Sequence, residues 1–206
     1  MKKIYVHGLG QTPEIWQPVI EKFKDVNDIV CVDLANLMKD NEVNYNNLYK
    51  AFASTCNQYD GKIDLCGLSL GAVLCLNYAI DYPDKVDSLI LIAAQYKMPK
   101  LLLKIQNLIF RFMPNSSFQQ TGFGKADFIR LCRTMAELDF SKLLSNVLCR
   151  TLVMCGEKDS ANRKATVELS DCLNNAELQI VHGVGHELNA DAPEQLSKVI
   201  KEFYDE

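Results

Sequence analysis

The chain of 206 residues has only three histidines, His7, His182 and His186, and a single tryptophan, Trp16. It has no surplus of positive charge either. Lys and Arg total 22 against 26 Asp and Glu, a formal net charge of −4. Phosphate binding needs clustered cations, so the charge argues against a nucleic-acid partner. No apolar run approaches the ~20 residues of a membrane span, and no stable membrane insertion is expected. The opening Met1-Lys2-Lys3-Ile4-Tyr5-Val6-His7 holds too brief an apolar stretch for a signal-peptide core. None of the eight cysteines forms a Cys-x-x-Cys pair. Several, including Cys31, Cys66, Cys75 and Cys155, sit in apolar runs as small hydrophobes, and all eight read as reduced thiols of a cytoplasmic protein.

Cofactor signatures are also missing. Gly8-Leu9-Gly10 lacks the third glycine of a dinucleotide loop, and Gly122-Phe123-Gly124-Lys125 lacks P-loop spacing. His182 and His186 stand four apart, but two intervening glycines argue against the helix that would bring them together as a zinc pair. Neither metal nor organic cofactor is expected. There is no internal repeat, low-complexity tract or linker, and the length suits one domain spanning residues 1–206.

What is present is an alternation. Strand-like segments recur at Ile4–His7, Ile29–Leu34, Ile63–Cys66, Ser88–Ala93, Thr151–Cys155 and Leu178–Val181, separated by helix-like stretches. Helical crossovers imply parallel strands, so an α/β three-layer sandwich is predicted, with a mostly parallel sheet of six strands and functional groups at the strands' carboxyl ends. The segment from about residue 96 to 144 interrupts this pattern and reads as a helical cap insertion. In it Met98, Leu101, Leu102, Ile105, Leu108, Ile109, Phe112 and Met113 fall at steps of three and four, one apolar helix stripe. Pro99 suits the first turn and Pro114 the stop. A second helix is expected from Lys125 to Ala136. The stripe, flanked by Lys97, Lys100, Lys104 and Arg111, is expected to close over a pocket; the competing use is to lie on an anionic membrane surface.

The richest motif is Gly67-Leu68-Ser69-Leu70-Gly71, a Gly-x-Ser-x-Gly pentapeptide between a strand-like run and the helix-like Ala72–Ile80. A serine on so tight a turn is strained, and small neighbours two residues away let strand and helix approach. Chance alone yields the pentapeptide roughly one time in fifteen in such a chain, so its companions decide. A serine nucleophile needs a base, and the base an orienting acid. His186, in the loop Gly183-Val184-Gly185-His186, is the preferred base over His7 and His182. Asp159, in Gly156-Glu157-Lys158-Asp159 after a strand, is the preferred acid; Glu157 and Asp33 remain alternatives. Oxyanion donors would be the backbone N–H groups of Leu9 and Leu70. Cys66 on its strand reads as packing rather than as a thiol nucleophile.

Taken in order, His7-Gly8-Leu9-Gly10 with Trp16, the Ser69 pentapeptide, Tyr82-Pro83-Asp84-Lys85-Val86, Gly156-Glu157-Lys158-Asp159 and Gly185-His186 followed by Pro193-Glu194 resemble the α/β-hydrolase superfamily. The resemblance spans the chain outside the cap. It implies a triad of Ser69, Asp159 and His186 and oxyanion groups at Leu9 and Leu70. The first strand runs straight into the oxyanion loop, so a sheet without the leading strands of larger members is expected. The expected partner is a small-molecule ester, thioester or lactone with an apolar acyl part, with Leu102, Ile105, Ile109 and Trp16 as pocket candidates, Trp16 reading first as a packing residue near the oxyanion loop. A ligand-sensing protein on the same fold is the competing function.

Overall fold

Six strands form one sheet: β1 (Lys2–Val6), β2 (Ile29–Val32), β3 (Ile63–Leu68), β4 (Val86–Ile92), β5 (Arg150–Gly156) and β6 (Ala176–Val181). The computed structural model describes residues 1–23, 26–118 and 120–205. The strand order is β2-β1-β3-β4-β5-β6, and every neighbouring pair is parallel, as the alternation predicted. The helices are α1 (Gln17–Ile20), α2 (Leu34–Leu37), α3 (Tyr45–Asn57), α4 (Leu70–Asp81), α5 (Lys100–Phe112), α6 (Lys125–Met135), α7 (Arg163–Cys172), α8 (Leu188–Asp191) and α9 (Pro193–Tyr204).

Side chains alternate across a strand, so each strand feeds two cores. Ile4, Val6, Leu65, Leu89, Leu91 and Val153 pack on one face, against residues of α3, α4 and α7. Tyr5, Cys66, Leu68, Ile90, Ile92 and Met154 pack on the other, against residues of α1 and α9. The strands read as unbroken apolar runs because both faces are covered. α4 is apolar around most of its circumference, with ten of its twelve residues buried. The chain leaves β1 for β2 on one side and then returns to β3 on the other. Strand order therefore reverses between β1 and β3, and such a switch point opens a crevice at the strands' carboxyl ends.

Between β4 and β5 the chain makes its long excursion, and its two ends are tied together. Met98 N–H donates to the Leu138 carbonyl at 3.0 Å and Phe140 N–H to that of Tyr96 at 2.8 Å, while Lys97 pairs with Asp139 at 3.2 Å. Within it, Phe110, Phe118 and Phe128 meet edge to face with centroids 4.8–5.9 Å apart, joining α5 to α6. The apolar stripe of α5 does not turn wholly inward. Leu103 is buried and Phe110 packs against the core, but Leu101, Leu108 and Phe112 face solvent. The residues that α5 turns to the core, Leu103 and Phe110, lie off the predicted stripe, whose members within the helix, Leu101, Leu102, Ile105, Leu108, Ile109 and Phe112, are all 41–83% exposed.

All eight cysteines are free thiols. Among the described residues no helix is long and apolar enough to cross a membrane, and no cluster of His, Cys, Asp or Glu could hold a metal ion.

Candidate active site

Ser69 lies between the last residue of β3 and the first of α4, with φ 54° and ψ −114°. That backbone is unfavourable for a residue with a Cβ, and it persists where surroundings over-determine it. Here they do. A Cβ on Gly71 would fall 2.2 Å from the Val6 carbonyl oxygen, and one on Gly67 would fall 2.5 Å from the backbone of Gly71. Only glycines let the helix start so close to β1 and β3. The Ser69 N–H is fixed to the Ile92 carbonyl at 2.9 Å. Leu70 opens α4, so its N–H is among those a helix leaves without an intrahelical partner.

The Asp159 turn and the His186 loop are held in a similar way. Gly156 ends β5, and a Cβ there would fall 2.1 Å from the Gly185 carbonyl oxygen and 2.4 Å from that of Val184. Lys158 N–H donates to the Val184 carbonyl at 2.9 Å. His186 Nδ1 consequently lies 2.8 Å from Asp159 Oδ2. Asp159 is almost wholly buried, whereas the imidazole is partly open. Burial pushes the Asp159 carboxyl up, but hydrogen bonds from His186 and Asn162 outweigh it and hold the group below the ordinary carboxylate range. An ionised Asp159 favours the His186 tautomer with Nδ1 protonated, leaving Nε2 as the basic nitrogen.

Asn162 was invisible as a site residue in the sequence. Its Nδ2 donates to both Asp159 oxygens at 2.9 Å, and its Oδ1 accepts from Gln95 Nε2 at 2.8 Å. A lone asparagine three residues past an aspartate carries no recognisable signal; its role comes from the turn into α7.

Ser69, Leu70, Leu9, Asp159, Asn162 and His186 all line one cavity of about 390 Å³, within the range of small-molecule sites. Leu102, Ile105 and Ile109 of α5 form part of its wall. Trp16 does not. It is fully buried on the opposite face of the sheet, edge to face with Tyr5 at 5.2 Å. The large indole following the oxyanion loop fills core and leaves the pocket to α5.

The alternative acids point elsewhere. Glu157 accepts from Gly183 N–H at 2.9 Å and lies 3.4 Å from the exposed His182. Asp33 caps α2, accepting from the N–H groups of Ala35 and Asn36. His7 is buried: its Nδ1–H donates to the Gly8 carbonyl at 2.9 Å, so its Nε2 accepts from Leu34 N–H at 3.3 Å. Burial lowers its pKa, against a smaller opposing effect of the Gly8 carbonyl. Cys66 lies among the apolar side chains of the Trp16 core, and burial pushes its thiol far up.

The oxyanion-loop candidate is anchored by a second unforeseen pair. Gln11 Oε1 accepts from Gly8 N–H at 3.1 Å and from Asn189 Nδ2 at 3.1 Å, while Gln11 Nε2 donates back to Asn189 Oδ1 at 3.1 Å. The loop after β1 is thereby pinned to α8, which begins two residues beyond His186.

A parallel sheet that carries a strained serine at the strand-to-helix turn beside its switch point has the build of an α/β hydrolase. The chain belongs to that family: the family model for the alpha/beta hydrolase fold matches residues 4–121. It is 29% identical over 91 residues to a pimeloyl-[acyl-carrier protein] methyl ester esterase of Aliivibrio salmonicida, covering 44% of this chain and 35% of that protein. It is 22% identical over 236 aligned residues to a bifunctional biotin biosynthesis protein of Cellvibrio japonicus, covering 98% of this chain and 47% of that one. The chain thus spans less than half the length of either curated relative. Among solved structures, a thermophilic esterase from Thermogutta terrifontis superposes with a TM-score of 0.82 at 19% identity, covering 100% of this chain and 89% of that one. At that identity the likeness is one of fold.

Proposed function

We propose that the chain is a serine hydrolase of small to medium carboxylic esters, thioesters or lactones with an apolar acyl part. The observation that carries the reading is the 2.8 Å contact between His186 and a buried, ionised Asp159 in the same cavity as the strained Ser69. The residues from about 96 to 144 then act as the cap over this site, within one domain. Relatives named as esterases support ester chemistry.

In this mechanism His186 Nε2 takes the Ser69 hydroxyl proton as Oγ bonds to the substrate carbonyl carbon. Asp159 holds the tautomer and stabilises the imidazolium. The carbonyl oxygen, now an oxyanion, accepts hydrogen bonds from the N–H groups of Leu9 and Leu70, each worth roughly 100- to 1,000-fold in rate. His186 returns its proton to the departing alcohol or thiol as the carbon–leaving-group bond breaks, leaving an acyl-Ser69 ester. Water, deprotonated by His186, attacks that ester, and the acid leaves as Ser69 regains its proton. Leu102, Ile105 and Ile109 favour an apolar acyl group in the cavity.

A fluorophosphonate probe, with the adduct mapped by mass spectrometry, tests this reading. Stoichiometric labelling at Ser69 is expected, together with hydrolysis of short p-nitrophenyl esters that falls by about 10⁴-fold or more in Ser69→Ala. A protein that binds apolar carboxylates tightly, ignores the probe and turns over no ester would be a ligand sensor instead.

A further inference from the structure

We infer that α5 docks on an anionic membrane surface, with Leu101, Ile105, Leu108 and Phe112 facing the lipid. These four residues recur at i, i+4, i+7 and i+11 and form a single outward line of about 16 Å at 1.5 Å per residue. They are 73%, 49%, 55% and 83% exposed. The inner side of the helix is already satisfied, through Leu103 and through Phe110 against Phe118 and Phe128. The outward line is therefore surplus to the fold, and aligned apolar groups of this size on a surface mark an interaction site.

Charge selects the partner. From Ser88 to Ala126 the chain has no Asp or Glu and five cations, Lys97, Lys100, Lys104, Arg111 and Lys125, within a protein whose net charge is −4. Lys100, Lys104 and Arg111 share one flank of α5. Lys100 is paired with Glu137 at 2.5 Å, but no carboxylate pairs with Lys104 or Arg111 among the described residues. A straight helix with an apolar line flanked by basic residues is suited to the plane between headgroups and acyl chains of an anionic bilayer. An antiparallel second copy on the same face would instead set two cationic flanks side by side.

The other flank of α5 carries Leu102 and Ile109, which line the cavity containing Ser69 together with Ile105, at the border between that flank and the outward line. A docked helix would thus hold the cavity wall at the membrane surface. That an apolar ester then enters from the lipid rests on the hydrolase reading; the docking itself does not.

The test is flotation of the Ser69→Ala chain with phosphatidylcholine vesicles and with mixed phosphatidylcholine–phosphatidylglycerol vesicles, at low and high salt. Binding is expected only to the mixed vesicles and should weaken as salt rises. The double variant Leu108→Asp/Phe112→Asp and the double variant Lys104→Glu/Arg111→Glu should each lose at least about tenfold in partitioning, since one basic residue is worth about fivefold. In the Ser69-intact chain both double variants should keep wild-type circular dichroism and wild-type turnover of a short soluble ester. Absence of binding to mixed vesicles, or binding that the substitutions leave unchanged, overturns the proposal. So does sedimentation as a dimer that Phe112→Asp converts to monomer, which would assign the face to a second copy. Vesicle binding by a chain that hydrolyses nothing would uphold the docking and remove only the hydrolase reading.

Discussion

Gln11 and Asn189, 178 positions apart, exchange two amide hydrogen bonds of 3.1 Å in the interior. Gln11 also accepts from Gly8 N–H, so this pair links the loop before Leu9 to the helix that follows His186. Replacing Asn189 with Leu leaves the buried Gln11 amide short of partners and should cost about 1–3 kcal/mol. Combining it with Gln11→Met should restore part of that, because two apolar groups leave less unmet polarity. Urea unfolding of the two single variants and the double variant measures the coupling. On the proposed hydrolase reading the double variant should lose kcat with little change in KM, since the loop that carries Leu9 is no longer tied through Gly8.

Gly156→Ala puts a methyl group where the Gly185 and Val184 carbonyls stand. The Asp159 turn and the His186 loop must separate. Overpacking of this kind costs about 1–3 kcal/mol. On the proposed mechanism, fluorophosphonate labelling of Ser69 should slow far more than that loss of stability explains, because His186 is drawn away from Asp159. Labelling at the wild-type rate in a folded Gly156→Ala protein would show that the contact between the two loops is unimportant.

His7 sets a pH dependence. Burial lowers its pKa below the ordinary imidazole value, about 6.5 in the unfolded chain. Below that value the unfolded chain binds more protons than the folded one, so stability increases with pH there. The contribution is complete above about pH 6.5 and is lost as pH falls toward the folded value, by up to about 1.4 kcal/mol per unit. Asp159, held low, acts in the same sense only further down, in the carboxylate range. Thermal midpoints across this interval should fall in the wild type and flatten in His7→Gln, whose overall stability is lower.

Ser69 stores strain that glycine would release. Ser69→Gly should raise stability by about 1 kcal/mol while removing activity, whereas Ser69→Ala keeps the Cβ and most of the strain. Ala93, at φ 53° and buried against the same cavity, should respond similarly to Ala93→Gly with the Ser69 hydroxyl retained. Differential scanning calorimetry of the three variants distinguishes backbone relief from loss of the hydroxyl.

The sheet was legible because a strand buried on both faces becomes an apolar run, and the elbow because steric crowding at Gly67 and Gly71 leaves one residue type at each. Asp159 and His186 could be chosen because each follows a strand and histidine is scarce. Asn162, Gln95 and the Gln11–Asn189 pair were not legible. An amide acquires its function from whatever the fold sets opposite it, and no spacing announces that. Trp16 is both a packing residue and a pocket candidate by sequence, since its nearness to the loop after β1 says nothing of the sheet face on which the indole falls; it packs. The stripe of α5 reads as one surface, but it meets two environments, cavity and solvent, and the core takes Leu103 and Phe110 from the other side of the helix.

The tie at Lys97 and Asp139, with its flanking backbone bonds, closes the long excursion upon itself before the chain re-enters the sheet. Because β4 and β5 are adjacent, whatever hangs from that neck leaves the strand pairing undisturbed. Each doubling of length beyond a closed neck costs only about 0.6 kcal/mol. The excursion is therefore a separable unit as far as strand pairing goes, but not a free one: Phe128, Leu131 and Met135 complete the core on one face of the sheet, so a replacement spliced at residues 97 and 139 must refill that core while it alters what reaches Ser69.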